Sequence, residues 1–133
     1  MDATDEDGSV RRVLVVDDDD DIREVAQVAL SVVGGWQVST ATNGREAVEA
    51  ATRDLPDAIL LDVMMPEMDG PTAVLVLRRA ERTRDIPIIL LTAKVQTRDH
   101  LDWTGLELAG VIPKPFDPMT LPGQMSQMLG WSD

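Results

Sequence analysis

Five residues in this 133-residue chain carry groups that together could handle a phosphoryl group: Asp17, Asp18, Asp62, Thr92 and Lys114. Each follows closely on a short apolar run, from Val13–Val16 for the first pair to Gly110–Ile112 for the lysine. Carboxylates crowded into one site repel, and they coexist only if protons or a cation offset the charge. Oxygen donors without His or Cys favour a hard ion such as Mg²⁺, which takes one or two carboxylates and leaves positions for water and a phosphate. Asp62 is then free to act. An aspartate near such an ion and a lysine can attack phosphorus in line while the positive charges neutralise the equatorial oxygens. The product would be an acyl phosphate on Asp62. The Thr92 hydroxyl could then bond to a phosphoryl oxygen and be drawn toward it, shifting the loop behind it. Taken alone, Asp62 reads more simply as a helix cap or a turn former, so the chemistry depends on convergence.

A repeating strand–helix pattern supplies that convergence. Val13–Val16 is an unbroken β-branched and apolar run of the kind buried on both faces of a sheet. Ile22, Val25, Ala26, Ala29 and Val33 then fall on one helical face, which Gly34-Gly35 ends. Trp36–Ala41 alternates like a short strand, and Asn43 with Glu46 three residues on reads as a capping box for a helix to about Arg53. Pro56 breaks the chain before the strand Ala58–Leu61, and Asp69-Gly70-Pro71 opens a third helix that runs to Arg78-Arg79. Ile86–Leu91 is a fourth strand with Pro87 near its start, where a strand tolerates it. Thr97 can cap a fourth helix through Leu101 and Thr104 to Leu106. Gly110–Ile112 is a fifth strand, and the last helix begins near Asp117-Pro118, or a few residues later because of Pro122. Five strands alternating with five helices predict a doubly wound α/β domain around a parallel sheet. Ligands in such sheets gather beyond the carboxyl ends of the strands, where all five reactive residues lie.

Composition narrows the class further. Hydrophobic residues make up 44% and charged residues 27%, as in a single soluble domain, and no apolar stretch approaches the roughly 20 residues of a membrane helix. With 24 acidic against 12 basic residues, the formal charge of −12 disfavours nucleic acid and anionic lipid and suits a cation or a basic partner. The absence of cysteine excludes disulfides and thiolate-bound metals. No signal pattern opens the chain, which makes the cytoplasm the expected compartment. Four acids within residues 1–8 predict a disordered acidic tail over residues 1–10, with the folded domain at 11–133.

Four stretches in order, Val15-Val16-Asp17-Asp18, Leu60–Gly70, Leu91-Thr92-Ala93 and Lys114-Pro115-Phe116, resemble the receiver domains of two-component response regulators over about residues 11–130. The resemblance implies a flavodoxin-like strand order 2-1-3-4-5. It also implies that Asp62 is the phosphoacceptor, and that Asp17, Asp18 and Asp62 with the main-chain carbonyl of Met64 bind Mg²⁺. Thr92 would be the switch hydroxyl and Lys114 the phosphate-pairing cation, often next to a cis proline. A histidine kinase or histidine phosphotransfer protein would supply the phosphoryl group. The domain would catalyse only its own phosphorylation and dephosphorylation. It is expected to stand alone, as a monomer or weak homodimer, and to signal through phosphorylation-dependent binding of another protein.

Some positions depart from the pattern or stay ambiguous. In the run Asp17–Asp21, Asp17 and Asp18 are chosen as the metal pair because they follow the strand at once, Asp20 or Asp21 is expected to cap the first helix, and Asp19 has no assigned role. Val111 stands where many receivers carry a switching aromatic. Met64 and Lys94 would flank the path of a hydrolytic water, with Met64 favouring a long-lived phosphoryl state. His100 reads as a surface residue, and Trp36, Trp103 and Trp131 as scattered packing residues. Met119, Met125 and Met128 read as adaptable packing around the last helix. The competing function is a small aspartyl-phosphate phosphohydrolase using Asp17 and Asp19, which would leave the loop after Asp62 without a purpose. A flavodoxin-like flavin binder lacks the Ser/Thr-rich phosphate loop and the ring stackers.

Overall fold

A computed structural model describes Thr4, residues 8–93 and residues 106–131. Five strands form one parallel sheet: β1 (Arg12–Val16), β2 (Gln37–Ala41), β3 (Ala58–Asp62), β4 (Ile88–Thr92) and β5 (Gly110–Pro113). Their order is β2-β1-β3-β4-β5, as expected. The described α-helices are α1 (Asp20–Val28), α2 (Gly44–Asp54), α3 (Gly70–Arg79) and α4 (Leu121–Leu129), and a π-helical segment, Ala29–Val33, extends α1. The helix expected from Thr97 to Leu106, with His100 and Trp103, lies almost wholly outside the described residues.

Period-two alternation divides the apolar strands between two cores. Leu14, Val16, Ile59, Leu61, Ile88 and Leu90 face one side, against Ala47, Ala50 and Ala51 of α2 and Ala73, Val74 and Leu77 of α3. Val13, Val15, Leu60, Ile89, Leu91 and Ile112 face the other, against Ala26, Ala29, Leu30, Trp36, Leu121 and Met125. Every residue of β3 and β4 is buried, because helices cover both faces of a parallel sheet. β2 and β5 lie at the edges and are partly exposed.

The first helix differs from its sequence pattern. Val25 and Val33 are 42% and 40% exposed, and Leu30 is buried in their place. Val25 is exposed on α1 itself, ahead of the π segment; within that segment Gly34 N–H donates to the Ala29 carbonyl five residues back, and the wider turn carries Val33 off the buried face. The helix is also capped by a different acid. Asp19, not Asp20 or Asp21, is the N-cap, its Oδ1 accepting from the N–H groups of Asp21 and Ile22 at 2.9 and 3.2 Å. Asn43 caps α2 as expected by accepting from Glu46 N–H. The Glu46 carboxylate returns to Thr42, one residue earlier than a capping box requires, and takes both its N–H and its hydroxyl. Those Thr42 hydrogen bonds hold the Glu46 carboxyl below its usual range, the backbone one first. Asp69 caps α3 through Thr72 N–H. Pro122 sits in the first turn of α4, which starts at Leu121, because no helical N–H is lost there.

Two tryptophans that look isolated in sequence meet. Trp36 and Trp131 pack edge to face with centroids 5.1 Å apart, and the Arg11 guanidinium lies 4.2 Å from the Trp131 ring. Met125 is buried and Met128 partly so, whereas Met119 is 69% exposed and packs on neither core.

Candidate functional site

Register brings the reactive residues level. Val16 aligns with Leu61, so Asp17 emerges beside Asp62. Asp62 aligns with Leu91, and Thr92 aligns with Pro113, which sets Lys114 one step beyond. The ladder continues past the strand ends: Val63 N–H donates to Leu91 carbonyl at 3.1 Å and Lys114 N–H to Thr92 carbonyl at 2.7 Å. Five side chains from four separate stretches therefore share one rim. The Lys114–Pro115 peptide is cis.

Asp17 is fully buried and Asp62 is 4% exposed, whereas Asp18 faces solvent. One carboxylate oxygen from each lies within 4.8 Å of the others. Lys114 Nζ sits 2.9 Å from Asp17 Oδ2 and 3.0 Å from Asp62 Oδ1. The Asp17 oxygen is close enough to form an ion pair yet makes no well-directed hydrogen bond. Its other oxygen accepts Asp19 N–H at 2.9 Å. Arg23 Nη1 donates to the Asp17 main-chain carbonyl at 2.9 Å and also pairs with Asp20. Arg23 thus braces the turn that carries Asp17, a role that no sequence signal beyond its i,i+3 spacing from Asp20 announces.

Burial pushes the Asp62 carboxyl up to about 6, with Asp17 and Asp18 adding to the rise and Lys114 opposing it. Burial alone would lower the Lys114 ammonium, but the close negative charges of Asp17 and Asp62 outweigh it and raise it. One lysine cannot balance three carboxylates. An all-oxygen donor set with two buried acids, one solvent-facing acid and an under-bonded Asp17 oxygen fits a hard divalent cation that keeps part of its water.

Thr92 is buried at the end of β4. Val111 is half-buried beside Leu90 and packs against the core under α2 and α3. Met64 lies on the loop after Asp62 with its side chain 76% exposed. Lys94 is outside the described residues. Asp19, the acid that a phosphohydrolase would use two residues after Asp17, caps α1 through its Oδ1. An apolar groove lined by Ile22, Val25, Pro115 and Phe116 opens beside Lys114.

A family model described as the response regulator receiver domain matches residues 13–125. The chain belongs to the response regulator receiver family. The receiver domain is 37% identical over 124 residues to the probable transcriptional regulator ycf27 of Pyropia yezoensis, covering 92% of this chain and 49% of that one. It is 41% identical over 119 residues to the protein of the same name from Cyanidium caldarium, covering 88% and 45%. The chain thus spans about half the length of the curated relatives it matches. Among solved structures, chemotaxis protein CheY4 of Vibrio cholerae superposes with a TM-score of 0.83 at 32% identity, covering 89% of this chain and 98% of that one. Among the described residues, no helix of the receiver domain is long and apolar enough to cross a membrane.

Proposed function

We propose that this receiver domain accepts a phosphoryl group on Asp62 from a histidine kinase or histidine phosphotransfer protein in a Mg²⁺-dependent reaction. Its phosphorylation would then change its affinity for another protein. The observation that carries this reading is the cluster of Asp17, Asp18 and Asp62 with Lys114 Nζ 3.0 Å from Asp62 Oδ1.

The carboxylates of Asp17, Asp18 and Asp62, with the Met64 main-chain carbonyl, would hold Mg²⁺, whose charge when bound offsets that of the phosphoryl oxygens. An Asp62 oxygen attacks phosphorus, and the O–P bond forms as the N–P bond of the donor phosphohistidine breaks. The imidazole keeps the electron pair. Lys114 exchanges its link to the Asp62 carboxylate for a phosphoryl oxygen. Thr92 donates its hydroxyl to another and draws the chain after β4 inward. The groove of Ile22, Val25, Pro115 and Phe116 gives the donor protein an apolar landing next to Lys114.

The reaction is confined to the domain's own aspartate, so the protein turns over no external substrate. Val111 cannot swing as an aromatic would, and the response to Thr92 passes through the backbone after β4. Met64 flanks the route of a hydrolytic water, and its exposed thioether orients water poorly, which favours a slow loss of phosphate. With a net charge of −12 the domain makes no nucleic-acid contact of its own. It acts in the cytoplasm as a monomer or weak homodimer.

Incubation with Mg²⁺ and acetyl phosphate, compared with Asp62→Asn, tests this. One phosphoryl group per chain, lost in the variant, is expected. Repeated turnover of phosphate esters that survives Asp62→Asn would overturn the reading in favour of a hydrolase.

A further inference from the structure

The segment that leaves Asp62 is held by hydrogen bonds that do not involve the acid side chains of the cluster. Val63 to Asp69 forms an arch, closed at its base where Gly70 N–H donates to the Val63 carbonyl at 2.9 Å. Its far limb rests on the amino end of α2. There Gly44 N–H donates to the Met68 carbonyl at 2.9 Å, an approach that requires glycine because a Cβ would overlap that carbonyl.

Glu67 stands between these two anchors with φ of 67°, a left-handed backbone that few residues other than glycine adopt. Both oxygens of its carboxylate are engaged. Asn43 Nδ2 donates to Oε2 at 3.1 Å, and Arg45 Nη2 lies 3.4 Å from Oε1. Asn43 is 6% exposed, and its amide oxygen accepts Glu46 N–H, so one side chain both starts α2 and holds the arch. Nothing in glutamate's own preferences selects this backbone, so the surrounding contacts must impose it.

We infer that the amino end of α2 is a brace for the arch after Asp62, with Glu67 a positioning residue that sets the affinity of the acid cluster for Mg²⁺ without touching the ion. This rests on the reading of the cluster as a Mg²⁺ site. Met64 lies inside the arch three residues before Glu67. If Glu67 relaxes to an ordinary backbone, the chain between Val63 and Met68 must turn, and the Met64 carbonyl turns with it.

The test is titration of the protein with MgCl₂ by calorimetry at constant ionic strength, comparing wild type, Glu67→Ala and Glu67→Gln. Glu67→Ala should bind Mg²⁺ about tenfold more weakly, the scale lost when groups supporting metal ligands are removed. Glu67→Gln can still accept from Asn43 and should bind close to wild type. Equal losses in both variants would show a charge effect acting at a distance and overturn the brace, and so would an Ala variant that binds normally. Without Mg²⁺, amide exchange at Gly44 and Gly70 should quicken in Glu67→Ala, and unchanged protection would also overturn it. A wild-type protein that binds no Mg²⁺, or binding untouched by Asp62→Asn, would instead bring down the underlying metal-site reading.

Discussion

At the residue scale, Asp62 is held where its ionised form is least welcome. Its carboxyl is pushed up to about 6, chiefly by burial, against an ordinary value of 3.8 in the unfolded chain. The folded state therefore binds the proton more tightly, and the group lowers stability as pH rises from about 4 to about 6. A shift of about two units corresponds to about 3 kcal/mol, brought to about 1–3 kcal/mol by relaxation and water penetration around a buried charge. Asp62→Asn should therefore stabilise the metal-free protein at pH 7.5 by about 1–3 kcal/mol and have little effect near pH 4. Urea unfolding across pH 4–8 measures it, and a variant less stable than wild type at pH 7.5 would contradict the account. A bound cation would offset the charge that burial, and secondarily Asp17 and Asp18, disfavour.

At the element scale, caps and close approaches position the rim. Asp19 takes two N–H groups of α1, whereas Asp20 engages Arg23 from an exposed position. Asp19→Ala should cost about 1 kcal/mol in denaturant unfolding, and Asp21→Ala much less, since only the former leaves helix N–H groups without an acceptor. Gly70 lies against the end of β3, where a Cβ would overlap the Asp62 main-chain carbonyl. Gly70→Ala should destabilise by about 1–3 kcal/mol, as overpacked sites do. Because the displaced backbone is that of Asp62 itself, it should also slow acceptance from acetyl phosphate at saturating Mg²⁺. Folding losses without a change in that rate would separate the two effects.

At the scale of the whole molecule, a charge of −12 makes the folded state repel itself, most strongly on the rim where Asp17–Asp21 adjoin Asp62. Mg²⁺ should raise the melting temperature at pH 7.5 beyond what NaCl of equal ionic strength does, because binding to the folded state adds to screening. At 100-fold excess over its dissociation constant the gain is about 2.7 kcal/mol. Near pH 4.5 the gain should shrink as Asp62 is protonated, and equal effects of the two salts at pH 7.5 would exclude a specific site. At the opposite end of the sheet, Arg11, Trp36 and Trp131 tie the start of β1 to the end of α4.

The apolar runs and their spacing determined five parallel strands, and the polar residue ending each run determined which side chains reach the rim. Both follow from local sequence, because a strand buried on two faces has to be apolar throughout and can place polar groups only past its end. Asp17, the first of five consecutive aspartates, reaches the rim for the same reason. Which aspartate caps α1 was decided by backbone geometry at a single turn, to which adjacent identical residues are blind. The outward turn of Val33 depended on a π segment after α1 that no periodicity of apolar residues encodes. The pairing of Trp36 with Trp131, and the bracing of Glu67 by Asn43 across 24 positions, arose only when the sheet brought distant segments together. Sequence determined what the rim is made of, and tertiary packing decided how firmly each part is held.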